Sequence, residues 1–202
     1  LVAFRTEEYK SIEAAFKYIV LASIGSSLIL LGTVMMYSRF HTLNIAQIGA
    51  NLAGHRYDPV SIFSLAMLLS GYAVKAFLVP CHTWPPDAHM AAPSSVSMIL
   101  SSVMSKTGVY AIVRILFTMY QAMDLSSMQY LMVFWGSITM IVGISMAIAQ
   151  TDLKRMLAFS SVSQIGYVIT GIGIATPLGI TGGLYHIINH VVFKSLLFLC
   201  AG

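Results

Sequence analysis

Apolar residues gather in runs long enough to cross a bilayer, which takes about 20 helical residues. The runs are Tyr18–Tyr37, Val60–Val79, Val96–Met119, Met128–Ala149 and Met156–Ala175, and a sixth, Leu178–Gly202, is still apolar where the chain stops. They predict an all-α membrane protein, a polytopic bundle of six transmembrane helices. Lys75 and Lys106 lie inside two of these runs, and neither run holds a carboxylate. A lysine at the centre of a spanning helix costs about 2.5–3.5 kcal/mol on insertion scales, so such residues usually face a polar interior and serve ion movement. Two of them predict a charge pathway.

The segment from Pro80 to Pro93 packs four prolines between two spans: Pro80, Pro85, Pro86 and Pro93. Each removes a backbone donor and disfavours helix in the residue before it, so the helix bearing Lys75 is expected to break just after it and to be interrupted between Val79 and Pro93. Irregular backbone at membrane depth survives only where protein or water satisfies its polar groups, and interrupted helices in transporters mark ion routes. A tight extramembrane loop is the alternative reading of the same prolines.

Small polar residues and histidines add to the picture. Ser97, Ser101 and Ser105 recur every fourth residue, and Ser160, Ser161 and Ser163 enrich the fifth run. Such residues let helices approach closely and hydrogen-bond across the contact. Ser102 lies four residues before Lys106 and is expected on its face. His186, His190 and Lys194 follow at spacings of four, on one helical stripe. That stripe suits proton transfer, because histidine titrates near neutral pH. It is also compatible with a hydrogen-bonded structural role, or with metal binding if a third ligand were supplied.

Composition supports the membrane reading: 57% of the 202 residues are hydrophobic and only 9% are charged. The mean hydropathy is +0.82, beyond what a water-soluble core of this size commonly reaches. The net charge of +4 then suggests topology rather than nucleic acid. Arg5, Lys10, Lys17, Lys154 and Arg155 fall on one side, against Arg39, Arg56 and Arg114 on the other, which makes the first side cytoplasmic by the positive-inside tendency. Cys81 and Cys200 stand far apart without a CxxC pair and are expected to be buried free thiols. Phosphate-loop, dinucleotide and nucleophile-elbow motifs are absent from the sequence. The chain begins with Leu1 and ends in an apolar run, so it is expected to be a segment of a longer protein.

The run Lys75-Ala-Phe-Leu-Val-Pro-Cys-His-Thr-Trp-Pro-Pro-Asp-Ala-His89 resembles the lysine-bearing broken helix of the antiporter-like subunits of respiratory complex I, membrane-bound hydrogenases and multi-subunit sodium/proton antiporters. Asp152-Leu-Lys-Arg-Met-Leu-Ala-Phe-Ser-Ser-Val-Ser-Gln-Ile-Gly-Tyr167 and His186-Ile-Ile-Asn-His-Val-Val-Phe-Lys-Ser-Leu-Leu-Phe198 resemble two further signatures of that family. The stretches Ala88–Ser97 and Val103–Arg114 look most like the formate hydrogenlyase and hydrogenase-4 branch. Trp84-Pro85-Pro86 departs from the family's usual Trp-Leu-Pro.

The resemblance implies a fold of about fourteen helices containing two inverted five-helix repeats. Residues 1–17 would be a cytoplasmic-side segment. Residues 18–119 would hold the last three helices of the first repeat, with a break near 80–93, and residues 120–202 the first three of the second, truncated. The resemblance assigns proton transfer to Lys75, Lys106, His186 and His190; Lys194 joins them from its place on the histidine stripe, and His82, Ser102, Lys154 and Arg155 are expected as polar or interfacial positions. A glutamate partner for Lys75 would lie upstream of Leu1, and a second broken helix beyond Gly202. No cofactor or metal is expected in this chain, since any redox chemistry would belong to another subunit. The expected partners are other membrane subunits, the lipid bilayer, and protons or sodium, in a prokaryotic cell membrane.

Overall fold

The structure, a computed structural model, describes residues 9–201, and six of its helical segments are long and apolar enough to cross a membrane. The first is α1 (Tyr9–Phe40), which runs two turns beyond the apolar stretch at its start, so residues 9–17 belong to a helix. Residues 1–8, with Arg5, lie outside the described residues, as does the side chain of Lys10. A short helix, α2 (Ile45–Leu52), follows, its start capped by the Asn44 side chain, which accepts from the Ala46 and Gln47 amides. Then come α3 (Pro59–Ala76) and α4 (Trp84–Ala91), the two halves of an interrupted span.

The third span is one continuous rod with two wide turns in it. Helix α5 (Ser94–Ile99) passes through a π-turn at Leu100–Met104 into α6 (Ser105–Arg114), which ends in a second π-turn at Ile115–Met119. Helices α7 (Ser126–Ile148), α8 (Leu153–Gly173) and α9 (Pro177–Cys200) complete the bundle. At about 1.5 Å per residue, the shortest uninterrupted span, the 21 residues of α8, is about 31 Å long.

Ion pairs mark the two ends of the bundle. Lys17 on α1 and Arg155 on α8 both reach Asp87 on α4, at 3.0 and 3.6 Å. Arg39 pairs with Asp58 at 2.7 Å at the opposite end, where Arg56 donates to Gln121. Lys17 and Arg155 therefore share one end and Arg39 and Arg56 the other, the grouping expected from the charge pattern. In lipid, helix contacts rely on close packing rather than on exclusion from water. A Cβ on Gly71 would lie 2.6 Å from the Gly25 carbonyl, so α3 and α1 meet backbone to backbone. Gly166 does the same for α8 against α7, with Met140 N 2.6 Å from where its Cβ would stand. The core between the rods is formed by Met36, Leu52, Leu116, Ile165 and Ile169, all 1% exposed or less.

Candidate functional site

The helix bearing Lys75 ends one residue after it, as expected, before the first proline is reached. Phe77 takes a left-handed conformation, φ 66° and ψ 25°, and the Ala73 carbonyl accepts from the amides of both Phe77 and Leu78. That arrangement closes a helix. Pro80 has no N–H to offer the Ala76 carbonyl, so continuation was blocked in any case. Pro85 and Pro86 do not interrupt anything: they sit in the first turn of α4, where a missing N–H costs no helical bond. The break lies inside the bundle, with Phe77 and Leu78 fully buried and Trp84 nearly so.

Lys75 itself is half-buried beside a cavity of about 90 Å³ lined by Tyr18, Ala22, Phe77, Trp84, Met104 and Thr107. Among the described residues, no hydrogen bond or ion pair holds its ammonium group. Lys106 differs. It is 8% exposed, and its Nζ donates to the Ser101 carbonyl and to Ser105 Oγ, the latter at 3.1 Å.

Ser102 and Lys106 border one cleft of about 300 Å³, on a shared face, while the π-turn explains why the Lys106 ammonium group bonds to the Ser101 carbonyl rather than to Ser102. An i→i+5 turn inserts one extra residue, so the position five before Lys106 takes the place of the one four before it. Ser102 instead donates to its own helix, at the Met98 carbonyl, 2.6 Å away. Ser101 Oγ and Ser161 Oγ are 2.9 Å apart, which joins the third span to α8.

Lys194 is the second buried lysine, 2% exposed. Its Nζ donates to the Leu157 carbonyl at 3.0 Å and to Ser160 Oγ at 2.6 Å, both on α8. His190, one turn earlier, is 1% exposed, and both its ring nitrogens lack partners among the described residues. His186 is half-buried, with Nε2 2.6 Å from Gln164 Oε1, and its ring centre is 6.2 Å from that of His190. The stripe therefore faces the bundle. A third His, Cys, Asp or Glu does not gather with this pair among the described residues.

Sequence reasoning missed His89. The ring is fully buried, stacked on Phe198 of α9 at 4.8 Å and edge-on to Phe77 at 6.4 Å, and neither ring nitrogen has a partner. The signal that could have found it is the tandem proline: a helix opened by Pro85-Pro86 carries His89 one turn inward. Gln164 and Ser160 were also outside the predicted set of relay residues.

The remaining predicted positions fall elsewhere. His82 is buried in the break, edge-on to Phe159 at 6.4 Å. Arg155 lies at the bundle end, where Asp152 caps α8 by accepting from the Arg155 amide at 2.9 Å. With Glu13, Lys17 and Asp87, Arg155 borders a cleft of about 340 Å³. Lys154 is half-buried at the same helix start. Contrary to expectation, the thiols are not both buried: Cys81 is half-buried and Cys200 exposed, and both are free.

Described Asp and Glu residues are absent from the buried polar set, which consists of His82, His89, Lys106, His190 and Lys194 with ten Ser and Thr residues. Each further proton placed among these bases adds like-charge repulsion without a buried carboxylate to offset it. The arrangement suits groups that exchange protons through hydroxyls, carbonyls and water.

The profile of the family described as NADH:quinone oxidoreductase/Mrp antiporter, TM, matches residues 1–202. The NADH-quinone oxidoreductase subunit N of Desulforudis audaxviator is 35% identical over 194 residues, which cover 96% of this chain and 39% of that protein. Hydrogenase-4 component B of Escherichia coli is 33% identical over 222 residues, covering 97% and 30%. A chain in the structure of the membrane-bound sulfane sulfur reductase, an archaeal respiratory membrane complex, superposes with a TM-score of 0.88 at 35% identity, over 98% of this chain and 40% of that one. The chain spans well under half the length of each. Identities this close do not separate the hydrogenase branch from the quinone-reducing one.

Proposed function

The chain belongs to the NADH:quinone oxidoreductase/Mrp antiporter transmembrane family, and from that premise we propose that its six spans are part of a proton-translocating subunit of a redox-driven complex in a prokaryotic cell membrane. The observation that supports this best is the buried set of bases without a buried carboxylate among the described residues. A positive charge this deep is expensive, and retaining several of them argues for a moving charge.

Lys75, beside its cavity, would exchange protons with water at the break. Lys106 and Lys194 would pass them between α6 and α9, with His89, His186 and His190 as intermediate carriers, and Ser101, Ser160 and Ser161 would orient the lysines. A change of one pKa unit corresponds to about 1.4 kcal/mol, so small movements of a charged partner suffice to bias each transfer. Redox chemistry would belong to other membrane subunits, and this segment would need no cofactor of its own. The second reading, a subunit of a multi-subunit sodium/proton antiporter, draws on the same family description, which includes the Mrp antiporter.

The test is Lys75→Ala together with Lys106→Ala in the full-length protein within its complex. Ion uptake into vesicles, normalised to assembled complex and to turnover of the driving reaction, should collapse while assembly is retained. Wild-type uptake per turnover in the double variant would reject the relay. Uptake that requires sodium and persists without a redox substrate would favour the antiporter reading.

A further inference from the structure

The backbone freed by the break is held partly by α7, from the opposite half of the chain. The Val79 amide donates to Thr139 Oγ1 at 3.3 Å, and Trp135 Nε1 donates to the Val79 carbonyl at 2.6 Å. Both polar groups of one peptide-bearing residue are thus satisfied by two side chains four apart on a single helical face. Thr139 is fully buried and gives its own proton to the Trp135 carbonyl at 2.9 Å, which leaves its oxygen free to accept from Val79. Within the broken span, Trp84 Nε1 donates to the Val74 carbonyl at 3.2 Å. Lys75 therefore lies between two pinned points, Val74 and Val79.

We propose that Trp135 and Thr139 are positioning residues for Lys75: by gripping Val79 they set where the broken helix ends and hence where the ammonium group sits in its cavity. Non-helical backbone in lipid must have each N–H and C=O satisfied. Here that requirement is met by α7, so the placement of Lys75 depends on a helix it does not belong to. Movement of α7 along its axis would draw Val79 with it and displace Lys75. The inference rests on the proton-transfer role proposed for Lys75 and adds the residues that aim it.

The test uses the full-length protein in its complex, with Thr139→Val, Thr139→Ser and Trp135→Phe, and Lys75→Ala beside them. Valine keeps the shape of threonine and removes the acceptor; serine keeps the acceptor. Thr139→Val and Trp135→Phe should each lower ions moved per driving turnover about fivefold, the factor that one net hydrogen bond represents. The amount of complex and the driving turnover should stay unchanged, and Thr139→Ser should restore the wild-type ratio. An unchanged ratio in Thr139→Val and Trp135→Phe, with Lys75→Ala inactive, overturns the positioning role and leaves the relay standing. If Lys75→Ala transports normally, the relay itself fails, and the positioning role with it. Loss of assembled complex in Thr139→Val and Trp135→Phe alike would mean that the grip only holds the fold, and would also overturn the proposal.

Discussion

Lys75 lies at the end of a helix that stops just beyond it, beside open space, whereas Lys194, 2% exposed, is closed in by the Leu157 carbonyl and the Ser160 hydroxyl. Both arrangements answer the same physical demand, the solvation of an ammonium group away from bulk water. The first leaves room for exchangeable partners. The second supplies fixed dipoles, which hold the charge in one place and admit little else. A station open to water and a station sealed by protein suit loading and onward transfer, respectively.

Arginine substitutions break this comparison most sharply. Lys194→Arg should remove transport and also lower the amount of assembled complex, because a larger, permanently charged group is forced into a closed site at about 1–3 kcal/mol of overpacking. Lys75→Arg should remove transport but leave assembly near wild type, since the cavity accommodates the added volume. Quantitation of assembled complex beside vesicle uptake distinguishes them, and equal assembly in both would show that the two sites are equally open.

A smaller effect is expected at His89. In His89→Phe, two buried unpartnered nitrogens are replaced by carbon, and a desolvation penalty of about 1–3 kcal/mol is relieved. Thermal stability of the complex should be unchanged or higher while uptake per turnover falls. Normal uptake would reduce His89 to packing against Phe198. The smallest change belongs to Ser161→Ala, which deletes the Ser101–Ser161 contact at a cost of about 0.5–1.5 kcal/mol. Thermal melting should register it, and uptake should hardly move, because Lys106 keeps both of its own acceptors.

The six spans, Lys106 and the His186–His190–Lys194 stripe were readable because they depend on run length and on spacing within one helix. The features that were not readable depend on local exceptions or on distant packing. The prolines predict a break just after Lys75, but the left-handed Phe77 closes the helix before they are reached, and nothing in its residue type announces that conformation. The π-turn that turns Ser101 toward Lys106 looks like ordinary helix in the sequence. His89 gains its meaning only when α4 folds against α9 and brings Phe198 over its ring. Helix α2 was missed because its eight residues fall short of any span and its strongest signal is a single capping asparagine.

The contact of α7 with α8 at Gly166 leaves no room for a side chain between the two backbones. A pair of rods joined this closely forms one beam. One member of that beam grips Val79 beside the open lysine, and the other supplies the oxygens that hold Lys194. The two lysine stations are consequently fastened to one closely joined pair of helices.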